Sequence, residues 1–90
     1  MRIIELPEHC DRAATELLVA EMTQAVHEGD VTINGSAVAR IGQAMLQLLL
    51  SAVRTARGLD RTLVIQPSEA MDEAMRLAGV ETAIMNGAAA

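Results

Sequence analysis

Apolar and polar positions alternate in short runs along the chain, and longer stretches with helical spacing separate these runs. The first run, residues 3–6, predicts a short strand, which Pro7 ends because proline cannot donate to a strand ladder. Asp11 suits a helix N-cap, and apolar residues at helical spacing predict a first helix over residues 12–27. The predicted buried stripe of that helix is Ala14, Leu17, Leu18, Met22, Ala25 and Val26.

The most regular pattern lies between residues 30 and 57. Alternation over residues 31–34 predicts a strand with one apolar face, and Asn34-Gly35-Ser36 follows as a polar loop. After another short run, Gly42 leads into a helix over residues 44–56. Apolar residues cover most of its circumference, which predicts a central helix packed on more than one side.

The last part of the chain predicts one more strand and helix. A continuous apolar run over residues 63–65 is typical of a strand covered on both faces. Ser68 suits the N-cap of a third helix, whose predicted buried stripe is Met71, Ala74, Met75 and Ala78. Residues 80–85 predict a last short strand or turn, and residues 86–90 a frayed tail.

Strands and helices therefore alternate in β-α-β-α-β-α order. This order predicts an α/β fold with right-handed crossovers, in which helices flank a short mixed β-sheet. Ninety residues suit a single small domain over residues 1–90, with its core in residues 3–80. The chain is 51% hydrophobic but has no Phe, Trp or Tyr, so the core must consist of Leu, Ile, Val, Met and Ala.

Charge and cysteine content narrow the classes of function. A net charge of −5 at pH 7 disfavours nucleic acid and anionic lipid, since seven scattered basic residues predict no phosphate-binding cluster. Cys10 is the single cysteine, so no internal disulfide can form and a reducing compartment is expected. The apolar runs are too short to span a bilayer, and no signal-peptide pattern begins the chain. We expect a cytoplasmic protein without membrane insertion.

Residues that support catalysis are sparse. His9-Cys10-Asp11 places three reactive residue types together, but Asp11 is expected to cap a helix and Cys10 to be a small buried side chain. A zinc site needs three or four ligands, and only His27 remains to join the segment. The glycines follow neither P-loop nor dinucleotide-binding spacing. We expect a binding module with no catalytic residue, metal or cofactor, and an enzyme that uses His9 or Cys10 is the less favoured alternative.

Two small polar segments are the candidate contact points for a partner. Asn34-Gly35-Ser36 displays a hydroxyl, although a simple turn role for Ser36 is the competing interpretation. Gly42-Gln43 precedes the long helix, whose free backbone amides suit contact with a partner or an anion.

These stretches resemble the STAS family, the sulfate transporter and anti-sigma factor antagonist domains. The family pattern is an apolar strand, an Asp-x-Ser-like segment, Asp-Ser-Ala-Gly-Leu before a Leu-rich helix, and a later strand and helix ending in a Leu-x-Gly-like segment. The matching residues are 31–36, 40–50, 63–68 and 76–80, and the resemblance spans residues 6–80.

The resemblance implies a protein-binding module that phosphorylation of a loop hydroxyl switches off. Gln43 stands where phosphorylatable members have Ser or Thr, and an amide cannot accept a phosphoryl group. Asn34 replaces an Asp, whereas Ser36 keeps the second hydroxyl and is the candidate phosphorylation site. By resemblance, the partner-binding residues are Asn34, Gly35, Ser36, Ile41, Gly42, Gln43, Met45 and Leu46.

Two classes of partner follow from the resemblance. A regulator like the stand-alone anti-sigma factor antagonists would bind a serine kinase, an anti-sigma factor or a related bacterial signalling complex, including a chemotaxis cluster. Alternatively, a cytoplasmic accessory subunit of an ABC-type phospholipid transporter would contact its ATPase. A homodimer is compatible with either function.

Overall fold

The structure, a computed structural model, describes residues 2–87. The strands are β1 Arg2–Glu5, β2 His9–Cys10, β3 Val31–Gly35, β4 Arg40–Ile41 and β5 Leu63–Pro67. The helices are α1 Arg12–Glu28, α2 Gln43–Gly58, α3 Glu69–Leu77 and α4 Glu81–Gly87. The predicted α/β class is confirmed. Part of the predicted tail, residues 88–90, lies outside the described residues, whereas Asn86 and Gly87 end α4.

Strand β3 lies at the centre of a three-stranded parallel sheet. It pairs with β1 on one side and β5 on the other, so that Ile4, Ile33 and Ile65 stand in one row. A separate two-residue parallel ladder joins β2 to β4 and sets His9 opposite Arg40. All the strand pairs of residues 2–87 are parallel, where the sequence analysis expects a mixed sheet.

One face of the sheet forms part of the core. Its buried residues are Ile4, Val31, Ile33, Leu63 and Ile65. The opposite face is more open, because Ile3 is 63% exposed and Val64 is only half-buried. The prediction that β5 is covered on both faces is therefore wrong. An apolar run of three residues does not reveal whether its middle residue lies under a helix.

Helix α2 is the central helix, as its all-round apolar pattern predicts. Its buried residues are Met45, Leu46, Leu49, Ala52, Val53 and Ala56. It packs against both α1 and α4, which shields it on more than one side. Despite this apolar character, no helix within the described residues is long and apolar enough to cross a membrane.

Helix α1 begins at the predicted cap but turns a different stripe inwards. The Asp11 side chain accepts a hydrogen bond from the Ala14 backbone N–H at 2.8 Å, which satisfies one free amide of the first turn. Thr15 and Met22 are buried, whereas Leu17 is 82% exposed. The prediction that Leu17 belongs to the buried stripe is wrong, because it lies on the side of α1 opposite the buried Val26.

Residues 80–85 belong to a helix and not to the predicted strand or turn. Gly79 ends the preceding segment with φ at 74°, a left-handed conformation that glycine adopts without strain. The Ile84 N–H then donates to the Val80 carbonyl oxygen at 2.9 Å, which is a helical hydrogen bond. Ile84 is fully buried and packs in the core, so tertiary packing stabilises this short helix.

Gly35 lies where β3 approaches α3, and the space beside it is too small for a side chain. A Cβ at this position would stand 2.6 Å from the Met71 sulfur and 3.2 Å from the Gln66 carbonyl oxygen. We expect Gly35→Ala to lower the free energy of unfolding by about 1–3 kcal/mol, as overpacked cores do. Urea denaturation followed by far-UV circular dichroism measures this change.

Gly58→Ala is the matched control for that substitution. A Cβ on Gly58 would meet nothing within 4 Å, and alanine favours a helical position. We expect its free energy of unfolding to stay equal to that of the wild type or to rise by up to about 1 kcal/mol. Wild-type stability in Gly35→Ala would contradict the close approach of β3 and α3.

Candidate functional site

The carboxyl ends of β1, β3 and β5 meet at one edge of the sheet, because the three strands are parallel. The polar loop after β3 lies at this edge, together with the start of α3 and the junction of β4 and α2. We call the surface formed by residues 34–36, 41–43 and 68 the loop edge. Ligand sites of open parallel sheets lie outside the carboxyl ends of the strands, so this edge is the candidate functional site.

Asn34 holds the loop after β3 through two side-chain hydrogen bonds. Its Nδ2 donates to Glu5 Oε1 on the neighbouring strand at 3.0 Å. Its Oδ1 accepts a hydrogen bond from the Ser36 N–H at 3.1 Å. The Val38 N–H donates to the Gly35 carbonyl oxygen at 3.1 Å, which closes a tight turn. Ser36 is exposed at this turn, so a turn role and a displayed hydroxyl are compatible.

Ser68 ties the same loop to helix α3. Its Oγ donates to the Val38 carbonyl oxygen at 2.6 Å and accepts a hydrogen bond from the Met71 N–H at 3.1 Å. The second contact makes Ser68 the N-cap of α3, as predicted. One hydroxyl therefore fixes both the helix start and the loop.

Gly42 and Gln43 at the start of α2 are exposed, and no side chain caps this helix. Gly42 is the N-cap residue and has no side chain with which to cap the helix. Its N–H donates to the Cys10 carbonyl oxygen at 3.0 Å, which ties it to the end of β2. Gln43 follows as the first helical residue, and it is exposed. The helix start therefore presents an amide side chain and no phosphoryl-accepting hydroxyl at position 43.

Met45 and Leu46 do not belong to the exposed surface on which the sequence analysis places them. Met45 is 0% exposed and Leu46 is 3% exposed, and both pack in the core. Gly35 has no side chain and is also buried, so little of its backbone is accessible to a partner. Apolar residues at a helix start have the same pattern whether they face a core or a partner, and here the core contains them. Of the predicted contacts, the side chains at the surface are those of Asn34, Ser36, Ile41 and Gln43, together with the exposed backbone of Gly42.

An open groove of about 520 Å³ lies beside the start of α2. Its lining includes His9, Arg40 and Ile41 of the β2–β4 ladder and Ala70 and Ala74 of α3. No sequence pattern predicts that His9 and Arg40 lie together. Their proximity comes from the β2–β4 ladder, and two residues are too few to show a period that sequence analysis can detect.

The residues of the His9-Cys10-Asp11 segment each have a separate structural environment. Asp11 caps α1, and His9 is exposed with its Nε2 at 3.9 Å from Glu8 Oε1. Cys10 is buried, and its Sγ donates to the Pro7 carbonyl oxygen at 3.3 Å. Within residues 2–87, no group of three or more His, Cys, Asp and Glu residues is placed to hold a metal ion.

A parallel sheet packed on one face, with helix starts and polar loops along its carboxyl edge, defines a small α/β domain. A family model described as "Mlab, STAS domain" matches residues 2–86 of this sequence. The chain therefore belongs to the STAS family, and the resemblance noted in the sequence is confirmed.

Two solved structures match this fold. The anti-sigma factor antagonist SpoIIAA in its unphosphorylated form matches with a TM-score of 0.72 and 20% sequence identity, over 92% of this chain and 76% of that chain. The Bacillus cell fate determinant SpoIIAA in the phosphorylated form matches with a TM-score of 0.69 and 21% identity, over 92% and 78%. At these identities the likeness shows the fold. A comparison with curated proteins finds no match.

The Ser68 hydroxyl is the contact to remove in a test of how the loop is held. We expect Ser68→Ala to lower the free energy of unfolding by about 1–2 kcal/mol, because it removes an N-cap and leaves the Val38 carbonyl without its donor. Urea denaturation measures the change. The control is Ser51→Ala, at an exposed position of α2, which we expect to stay within about 0.5 kcal/mol of wild type. Equal stability of the two variants would show that the Ser68 contacts do not stabilise the loop.

Burial, and to a lesser extent the charge of Asp11, raises the pKa of the Cys10 thiol above its ordinary value of 9.0. The folded state then holds the thiol proton more tightly than the unfolded state does. The stability that this group contributes is therefore complete below pH 9.0 and is lost as the pH rises through the raised pKa of the folded state. The chain has no Lys or Tyr, so no other side chain titrates in this alkaline range.

We expect the free energy of unfolding to fall from about pH 9 upwards in the wild type and to stay nearly constant in Cys10→Ala. Urea denaturation at a series of alkaline pH values measures both slopes. The comparison depends on the slopes, so a constant loss of stability in Cys10→Ala does not affect it. The same fall in both proteins would contradict a shifted thiol pKa.

Proposed function

We propose that this chain is a non-enzymatic protein-binding module that meets its partner through the loop edge. The proposal rests on one observation: the exposed side chains of Ser36 and Gln43 stand on backbone that hydrogen bonds already hold. Asn34 and Ser68 hold the first segment, and the Gly42 N–H holds the second. Such a surface loses little conformational entropy when it binds, which favours docking of a second protein.

Docking at this surface is proposed to work without phosphorylation at the start of α2. Gln43 offers an amide where the family resemblance implies a hydroxyl. Ser36 is the remaining candidate phosphorylation site, and Asn34 links its loop to the Glu5 carboxylate. A phosphoryl group on Ser36 would add charge and bulk to the surface that is proposed to dock, and it would weaken docking there.

The first candidate partner is a serine kinase, an anti-sigma factor or a related bacterial signalling complex, including a chemotaxis cluster. The fold shared with SpoIIAA, an anti-sigma factor antagonist, supports this candidate. With Gln43 in place of a hydroxyl, the start of α2 carries no switch, and regulation is left to Ser36 or to the partner.

The second candidate partner is the ATPase of an ABC-type phospholipid transporter. Two observations favour it. Gln43 removes the switch, which a constitutive subunit does not require, and the matching family model is named for Mlab and not for an anti-sigma factor antagonist. The same loop edge would then be a permanent subunit interface.

The experiment is recovery of the partner by the tagged full chain from its native cells, followed by mass spectrometry. We expect Ser36→Glu combined with Gln43→Glu to reduce the recovered partner by about tenfold or more, because charged groups at a docking surface must be paired or solvated. Both positions are exposed, and a glutamate in the first turn of α2 suits the helix dipole, so the fold is retained.

The control variant is Ala13→Glu combined with Ala20→Glu, which adds the same charge at exposed positions of α1. We expect it to recover the partner at the wild-type level. A kinase or anti-sigma factor in the eluate identifies the first class of partner. An ABC ATPase with its permease identifies the second class and overturns the first. Undiminished recovery by the loop-edge variant would show that the partner binds elsewhere.

A further inference from the structure

The positive charges are unevenly distributed along the sequence. The sequence has no lysine, and three of its seven arginines, Arg54, Arg57 and Arg61, fall within eight positions around the end of α2. With Asp60 included, this segment carries +2, whereas the rest of the chain carries −7. The expectation that the basic residues are scattered is therefore wrong for this segment.

These three arginines are exposed and have no carboxylate partner among the described residues. Of the other four arginines, three have carboxylate partners: Arg2 pairs with Glu21 and Glu28, Arg12 with Glu16, and Arg76 with Glu81. Arg40 is exposed and has none among the described residues. Arg61 donates to the His27 carbonyl oxygen at 3.1 Å, which leaves its charge without a counter-ion.

The three arginines lie around the carboxyl end of α2, and the Arg61 side chain reaches the end of α1. Arg54 and Arg57 are one helical turn apart on α2 and are therefore neighbours. The Arg61 N–H donates to the Ala56 carbonyl oxygen at 2.8 Å, which returns the chain to the end of the helix. Leu59 lies between them in sequence and is 42% exposed. We call Arg54, Arg57, Leu59 and Arg61 the arginine patch.

The arginine patch is distinct from the loop edge. Helix α2 begins at the loop edge and ends at the patch, and a helix of 16 residues is about 24 Å long. The helix dipole favours a cation in the last turn, which gives Arg57 a structural role. That role does not extend to Arg61, which lies beyond the helix, or to an exposed leucine.

We propose that the arginine patch binds an acidic segment of a partner protein, at a second surface separate from the loop edge. Guanidinium groups bind carboxylates through two parallel hydrogen bonds. Because a guanidinium is more weakly hydrated than an ammonium group, its dehydration on binding costs less than that of a lysine. Leu59 adds an apolar contact at the same place.

Charge favours a compact acidic segment over an extended polyanion. The molecule measures 28 × 25 × 18 Å, and screening in physiological salt acts over about 8–10 Å. A nucleic acid or an anionic membrane would extend past the patch and bring its charge close to the strongly acidic remainder of the chain. A short acidic segment avoids this repulsion.

The test is an NMR titration of the full chain with a peptide of repeating Glu-Leu-Glu-Ala units, and with its Gln-for-Glu counterpart. We expect amide shifts around Arg54–Arg61 and His27 with the acidic peptide, and binding weaker by about tenfold or more with the neutral one. Arg54→Gln combined with Arg57→Gln should weaken binding of the acidic peptide by a similar factor, and glutamine keeps the helix.

The matched control is Arg12→Gln combined with Arg76→Gln, which removes the same charge from exposed arginines elsewhere. We expect it to bind the acidic peptide within about twofold of wild type, since distant surface charges act only through a screened field. Equal weakening in both variants would show that net charge alone attracts the peptide and would overturn the patch. Self-association of the chain that only the patch variant abolishes would make a second copy the occupant and would also overturn the proposal.

Discussion

The arrangement of this fold depends on removing helix α2 from water. Its apolar residues occupy so much of the circumference that contact with the sheet alone would leave some of them exposed, and α1 and α4 close its two flanks. Each large apolar side chain buried in this way contributes about 1.5–3 kcal/mol, which makes this packing the main favourable term. Gln43, the first residue of α2, therefore begins a helix that is anchored in the core by its buried residues.

The core that encloses α2 contains no aromatic side chain. Met22, Met45, Met71 and Met75 are all fully buried, and their flexible thioethers fill gaps between elements that branched side chains would leave. Glycine completes the fit where β3 and α3 approach too closely for any side chain. The flexible methionine side chains are therefore in the core, whereas hydrogen bonds hold the backbone of the exposed polar loops.

Elements with long apolar periods could be predicted from the sequence, as α2, β3 and the α/β order show. The β2–β4 ladder could not be predicted, because two residues are too few to show a period. The groove beside Arg40 depends on this ladder and could not be predicted either. Met45 and Leu46 were assigned to the wrong surface because only tertiary packing decides which apolar residues face the core. The arginine patch also depends on a turn, since Arg61 reaches the end of α2 only after the chain folds back.

The central position of β3 also determines the order in which the molecule can assemble. Both of its partners are parallel to it, and each is separated from it in sequence by an entire helix. Among residues 2–87 no hairpin is available as a local nucleus, so the sheet depends on pairings between distant segments, which form slowly. During synthesis, β3 keeps an unpaired edge until Pro67 has left the ribosome, and such an edge is a template for pairing with other chains. The central strand of the sheet thus stays open on one side until a strand of five residues, β5, has been made.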